Sequence, residues 1–217
     1  MAALYGHPFS SYTWKALIAF YASDTPFEFR MLDPDHPDNG AVVAAATPTG
    51  KFPLLVDDDG AQVFEATSIV EHLALTRREA RFLLPEDPAA AAPVRMLDRV
   101  FDNYVMHPMQ EIVASHIRSP GSPDPVTVGR MRDLLDKAYP WLDRWLEGYA
   151  PAAPVTLIEC AAAPALFYAD WVYPIPMALD RLRQWRAHLL ALPAVARAVD
   201  EARPYRHFFP PGAPDRD

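Results

Sequence analysis

Two adjacent serines stand where a loop runs into an apolar helical pattern. Residues 6–20 read GHPFSSYTWKALIAF, and this spacing predicts that Ser10 and Ser11 lie at a helix N-terminus. Unpaired amides and the positive end of the helix dipole favour an anion there. Two interpretations stay open: the serines cap the helix, or one hydroxyl faces a ligand.

A second candidate is the segment Lys51-Phe52-Pro53, which opens a predicted strand. Proline cannot donate to a strand ladder, so its position is unusual. If the Phe52–Pro53 bond is cis, the amide and carbonyl of Phe52 face outward and can pair with a peptide-like ligand as an added strand would. An ordinary edge-strand proline is the alternative.

A third candidate is Glu65, between a predicted strand and a predicted helix in the stretch FEATSI. Its carboxylate either caps the helix or binds a ligand ammonium, while the helix amides take a neighbouring carboxylate. Small hydroxyl residues follow it in the same turn.

The elements that must position these residues alternate along the first part of the chain. Strand patterns occupy residues 2–5 and 27–32 and both sides of an Asp-Asp-Gly turn. Helix patterns occupy residues 11–22, 41–46 and 66–75. The predicted order is β-α-β-α-β-β-α.

Beyond this part the pattern is helical throughout. A Pro- and Ala-rich segment predicts a linker at residues 81–92, between a domain of residues 1–80 and an all-helical domain of residues 93–217. A long helix is expected to kink at Pro108, and TLIE at residues 156–159 predicts a capping box. The fold class is therefore α+β, followed by an all-α helical bundle.

Composition excludes several functional classes. A 217-residue chain that is 51% hydrophobic buries a core, and a net charge of -8 without a basic stripe argues against nucleic acid. No apolar run approaches the roughly 20 residues of a membrane span, and the N-terminus lacks signal-peptide features, so we expect a cytoplasmic protein without a membrane partner. A single cysteine and scattered histidines predict no metal site.

Together these motifs resemble cytosolic glutathione transferases over nearly the whole chain. LYGHPFSSYTWKALIAF is similar to the family's first strand, active-site loop and first helix, nearest to the serine-type classes and the zeta pattern SSxSWR. TPTGKFPLL resembles NPxGKVPxL, whose proline is cis, and VFEATSIVEHL resembles xxESxAIxxYL. TLIECAAAPAL resembles the capped sixth helix, and EARPYRHFFP a common bacterial tail. The resemblance implies a thioredoxin-like first domain and a helical second domain.

The resemblance also implies that glutathione lies across the first domain and reacts as a thiolate. Ser10 would donate to the sulfur, with Ser11 as the alternative because the loop could present either hydroxyl. Tyr12 stands where zeta enzymes carry cysteine, so their cysteine-linked side chemistry is not expected.

The remaining glutathione contacts are implied in the same way. Phe52, beside the cis proline Pro53, would hold the cysteinyl backbone, Glu65 would hold the γ-glutamyl ammonium, and Lys51 would approach a carboxylate at the rim.

One residue departs from the family pattern. The serine that follows the acidic residue is Ala66 here, so a hydrogen bond to the γ-glutamyl carboxylate is missing. The loss is expected to weaken binding by about 1.5 to 3 kcal/mol unless Thr67 or helix amides replace it.

An acceptor pocket is expected between the domains, lined by the opening loop and the long helix, and suited to apolar electrophiles. Its candidate residues, each of which could instead belong to the core, are Phe9, Tyr12, Tyr104, Met109, His116 and Trp171. Cys160 is interpreted as a buried small residue.

The implied activity is the addition of the glutathione sulfur to a small apolar electrophile. The alternatives are a glutathione-dependent isomerase or peroxide reductase, and a non-catalytic ligand-binding or protein-interaction module, which Ala66 favours. Glutathione as co-substrate, no metal and a homodimer complete the expectation.

Overall fold

A four-stranded mixed sheet lies at the centre of the first part of the chain. The computed structural model describes residues 1–217. The strands are β1 (Ala3–Gly6), β2 (Glu28–Met31), β3 (Leu54–Val56) and β4 (Gln62–Phe64), in the spatial order β2-β1-β3-β4. β1 pairs parallel with β2 and antiparallel with β3, which pairs antiparallel with β4.

Three helices alternate with these strands: α1 (Ser11–Ala22), α2 (Pro37–Ala46) and α3 (Ala66–Thr76). The predicted order βαβαββα is confirmed. Helix α2 begins earlier than predicted because Pro37 is pre-organised for a first helical turn. The approach of β1 to α1 depends on Gly6, since a Cβ there would lie 2.6 Å from Cγ2 of the buried Thr13.

The rest of the chain is helical, as predicted. It contains α4 (Pro88–Val100), a π-helical segment (Phe101–Met106), α5 (His107–Arg118), α6 (Pro125–Trp145), α7 (Leu157–Val172), α8 (Asp180–Ala191) and α9 (Pro193–Ala202). Short 3-10 turns occupy Arg78–Leu83, Leu146–Gly148 and Arg203–Phe208. Helix α4 begins within the segment predicted as a linker, because Pro88 starts it and the Asp87 carboxylate accepts from the Ala90 amide at 2.8 Å.

The long helix predicted to kink at Pro108 is interrupted just before that residue. The π-helical segment joins α4 to α5, and Pro108 lies in the first turn of α5, where its missing N–H costs least. The extra residue of a π turn rotates the helix face that follows it.

Helix α7 lies at the centre of the core and is buried from Leu157 to Trp171. Its predicted capping box is confirmed: the Thr156 side chain accepts from the helix amides, and the Glu159 carboxylate accepts from the Thr156 amide at 2.8 Å. Cys160 is fully buried, and burial raises the pKa of its thiol. No helix is both long and apolar enough to cross a membrane.

Candidate functional site

A polar cleft of about 310 Å³ lies where the sheet domain meets the helical part. Segments 47–53 and 64–66 form one side, and residues from α4 and the π-helical segment form the other. The cleft brings together five residues predicted to bind one ligand: Lys51, Phe52, Pro53, Glu65 and Ala66.

Phe52 lines this cleft and has unpaired backbone groups. The Phe52–Pro53 peptide bond is cis. Phe52 lies outside the β3 ladder, and its amide and carbonyl take part in no backbone hydrogen bond. Both groups are therefore available to a ligand in extended conformation.

Glu65 stands at the N-terminus of α3 but does not cap it. Its φ of 69° lies in the left-handed region, which costs a residue other than glycine about 1–3 kcal/mol. Its side chain makes no capping hydrogen bond and no ion pair. The carboxylate is thus free to take a cation in the cleft.

The next two residues offer the cleft no hydroxyl. Ala66 lines it, whereas Thr67 does not. The Thr67 hydroxyl instead donates to the Asp98 carboxylate at 3.0 Å. Thr67 is therefore engaged away from the cleft and does not replace the side chain that Ala66 lacks.

A buried ion network lies beneath this side of the cleft. Lys15 of α1 is fully buried, with Nζ 2.5 Å from Oδ1 of the fully buried Asp98 and 2.9 Å from Oδ2 of Asp102. Arg99 pairs with Asp98 and lies 3.3 Å from Asp102. Burial raises the pKa of Asp102, while the Lys15 ammonium opposes that rise. Sequence patterns missed this network because its partners are far apart in the chain.

An apolar cleft of about 260 Å³ lies at the first turn of α1 and shares no lining residue with the polar cleft. Phe9 and Met109, two of the candidate acceptor-pocket residues, line it, and Ser10 and Ser11 line it too. One wall comes from residues 208–210, which follow α9 and which the sequence did not assign to the pocket.

The two serines have different surroundings. Ser10 is the N-cap of α1 and accepts from the Thr13 amide at 3.3 Å. Ser11 is only 3% exposed and accepts from Nε2 of Gln110 at 2.9 Å. Each hydroxyl keeps its proton to donate, but Ser10 is the more accessible of the two. Capping and ligand contact are therefore compatible in Ser10.

Tyr12, predicted for the acceptor pocket, lines the polar cleft instead. Burial, with the nearby carboxylates of Asp102 and Glu65, raises its pKa to about 12. Its phenol is therefore neutral at physiological pH and acts as a hydrogen-bond donor rather than a base.

The other predicted pocket residues lie outside both clefts. Tyr104 is 56% exposed and lines a separate groove between the π-helical segment and α6. His116 of α5 does not line the apolar cleft, although Val113 and Ile117 of the same helix do. Trp171 is buried against Phe209, with ring centroids 5.1 Å apart.

The loop that carries Ser10 is held from both sides. The Tyr168 hydroxyl donates to the Phe9 carbonyl at 2.9 Å, and the Trp14 indole donates to the Pro8 carbonyl at 2.5 Å. The Phe9 amide donates to Nδ1 of His7 at 3.1 Å. Burial lowers the pKa of His7, opposed by the Asp33 carboxylate, so the ring stays neutral and keeps this bond.

Comparison with known proteins points to one family. Residues 4–81 match the family model described as the N-terminal domain of glutathione S-transferase. The uncharacterized GST-like protein YibF of Escherichia coli K12 is 28% identical over 169 residues, which cover 77% of this chain and 82% of YibF.

Solved structures share the fold over nearly the whole chain. A glutathione S-transferase from Methylobacillus flagellatus KT with GSH bound has a TM-score of 0.78 at 21% identity, covering 91% of this chain and 98% of its own. The nitrogen regulation fragment of the yeast prion protein Ure2p has a TM-score of 0.78 at 16% identity, covering 92% and 96%. These likenesses extend the thioredoxin-like and helical architecture to both parts of the molecule.

Proposed function

We propose that this chain, whose residues 4–81 match the N-terminal domain of glutathione S-transferase and whose fold is shared with solved glutathione S-transferases, binds glutathione in the polar cleft and adds the glutathione sulfur to small apolar electrophiles held in the apolar cleft. One observation carries the proposal: consecutive residues at the start of α1 line the two clefts. Ser10 and Ser11 line the apolar cleft, and Tyr12 lines the polar one. A thiol lying along the polar cleft would reach the boundary at this turn.

The groups of the polar cleft suit a γ-glutamyl tripeptide. The unpaired Glu65 carboxylate would take the γ-glutamyl ammonium, and the free backbone groups of Phe52 would pair with the cysteinyl residue. Lys51 lines the same cleft and would approach a carboxylate at its rim.

Activation of the thiol would depend on Ser10. A free thiol has a pKa of about 8.5 and is mostly protonated at neutral pH. A hydrogen bond from the Ser10 hydroxyl and the N-terminal dipole of α1 would both stabilise the thiolate. The thiolate would then attack an electrophilic carbon, forming a C–S bond while the leaving group departs with its electron pair.

Three serine variants test this role. Ser10→Ala should raise the pKa of the bound thiol, followed by thiolate absorbance, and cut turnover with a chlorinated nitrobenzene while calorimetric affinity for glutathione changes little. Ser11→Ala tests the alternative donor, and Ser122→Ala, in an exposed turn, is the matched control. Full activity in Ser10→Ala would remove Ser10 from the mechanism, and no glutathione binding by the wild-type protein would overturn the proposal.

A non-catalytic binding module is the second candidate, favoured by Ala66. Without a hydroxyl there, the cleft lacks one hydrogen bond to the γ-glutamyl carboxylate, and Thr67 is occupied by Asp98. Binding to immobilised glutathione without turnover of chlorinated nitrobenzenes or peroxides would support this candidate. Ala66→Ser should tighten glutathione binding, and unchanged calorimetric affinity would contradict that expectation.

We also propose a homodimer. Large apolar side chains are exposed on β4, α4, the π-helical segment and α6, and three of them share one groove: Tyr104, Leu134 and Trp141, with Phe64 and Met96 exposed elsewhere. A second copy would remove this apolar surface from water. Sedimentation of the wild type and of Trp141→Glu tests it, with dissociation expected only in the variant.

A further inference from the structure

Arg99 is a cation of the polar cleft that no sequence motif indicated. It lines the cleft from α4 and contacts Thr67, beside Glu65 and Ala66 at the start of α3. Lys51 is the other permanently charged cation of the lining. Lys51 and Arg99 thus lie on different sides of the cleft. Arg99 is the one that lies at the same end as Ala66.

The guanidinium of Arg99 is held along its inner edge only. Nε donates to Oδ2 of the buried Asp98 at 2.9 Å, and Nη2 contacts the same carboxylate and the Thr67 hydroxyl. Nη1 makes no hydrogen bond, and the side chain is 54% exposed. The side chain is therefore fixed in position with donors left for a ligand, and a guanidinium fork suits a carboxylate.

The ion pairs around Arg99 do not use all of its donors. Lys15, fully buried beneath, contacts both Asp98 and Asp102, so Arg99 is not the sole counter-ion of either carboxylate. The two cations and two carboxylates balance. The remaining charge at this end is the unpaired Glu65 carboxylate. Arg99, which can bind an anion, and Glu65, which can bind a cation, therefore lie at the same end of the cleft.

We propose that Arg99 binds the α-carboxylate of the γ-glutamyl residue of glutathione, in place of the hydroxyl that Ala66 lacks. The inference rests on the proposed glutathione binding and deepens it. With Glu65 taking the neighbouring ammonium, the pair recognises the zwitterionic end of an α-amino acid. The cleft would therefore select γ-glutamyl peptides with a free α-carboxylate over peptides that carry the amine alone.

A ligand that lacks only this carboxylate tests the assignment. 4-Aminobutyryl-cysteinylglycine keeps the ammonium, the thiol and the rest of the glutathione chain. In calorimetry, the wild-type protein should bind it on the order of 10- to 100-fold more weakly than glutathione, as expected for loss of a hydrogen bond to a charged group. Arg99→Gln should bind both ligands with similar, weak affinity, because the receptor for the carboxylate is gone.

Matched variants separate recognition from folding. Arg95→Gln makes the same charge change one turn earlier on α4, at a residue that pairs with Glu71 outside the cleft, and should discriminate like the wild type. Arg99→Lys should retain part of the discrimination, and Ala66→Ser should restore part of it to Arg99→Gln. Thermal unfolding should show all variants folded, since Asp98 keeps Lys15 as its partner.

The outcomes are distinct. Equal binding of the two ligands by the wild-type protein overturns the role of Arg99 while leaving glutathione binding in place. The same holds if Arg99→Gln still discriminates as the wild type does. Failure of the wild-type protein to bind glutathione overturns both this inference and the proposed function.

Discussion

Replacement of Lys15 by methionine is expected to lower the free energy of unfolding by about 3–5 kcal/mol at pH 7, the usual cost of breaking a buried ion pair. Lys15 and Asp98 are fully buried, and Asp102 is nearly so. Asp98 keeps Arg99 and Thr67 as partners, which places the loss near the lower end of that range. At about 2–4 °C per kcal/mol for a chain of this length, a loss of about 3–5 kcal/mol should lower the melting temperature by about 6–20 °C.

The loss should depend on pH in a direction that the network fixes. Burial already raises the pKa of Asp102, and Lys15 opposes that rise; without Lys15 the pKa rises further above its value in the unfolded chain. The folded state then binds more protons than the unfolded state, so its stability falls as pH rises. The deficit of the variant should therefore be larger at pH 7 than at pH 5.

Urea unfolding of both proteins at the two pH values measures this deficit. Arg95→Met is the control, because the Arg95–Glu71 pair has side chains 44% and 24% exposed and should contribute at most about 1 kcal/mol. Adding Asp102→Asn to Lys15→Met should recover part of the loss. A deficit below about 1 kcal/mol at pH 7, or one that does not shrink at pH 5, would refute the reasoning.

Three further predictions concern the first helix and the loop before it. Burial lowers the pKa of His7, so the neutral ring that accepts from the Phe9 amide contributes stability above about pH 6.5 that is lost as pH falls. The urea midpoint of the wild-type protein should therefore decline between pH 7 and pH 5, and His7→Gln should make that decline shallower. An unchanged slope would contradict this. Gly6→Ala places a Cβ 2.6 Å from Cγ2 of Thr13 and should cost about 1–3 kcal/mol, mostly recovered by adding Thr13→Ala. Ionisation of Tyr12, whose pKa burial raises to about 12, should be absent from the difference spectrum between wild type and Tyr12→Phe at pH 10.

Features set by residues close in sequence could be predicted from the sequence. The Ser10 cap and the Thr156 capping box each join groups within three residues, and both are present. The order of strands and helices also followed from local periodicity. Contacts between distant segments could not be read in this way: neither the Lys15 network nor the bond from Gln110 to Ser11 leaves a local pattern.

Periodicity also could not predict which way the side chains of the long helix point. Tyr104 was expected in the acceptor pocket, but it lies in the π-helical segment and lines a different groove. A regular spacing of 3.6 residues per turn does not anticipate the extra residue of a π turn, which changes the direction of every side chain after it. The apolar wall from residues 208–210 was missed because this short segment at the end of a 3-10 turn carries no helix or strand periodicity.

Helix α1 belongs to the sheet domain by connectivity and to the helical core by packing. Trp14 lies 4.8 Å from Phe167 and 5.2 Å from Tyr168 of α7, centroid to centroid, and Lys15 finds its counter-ions on the helical side. The stretch that matches the family model, residues 4–81, is therefore not an autonomous module. Without the helical part, these residues would expose the Trp14 indole and leave the Lys15 ammonium without a partner. The two parts should therefore unfold in one cooperative transition. Neither part should be replaceable by the corresponding part of a distant relative without a loss of stability.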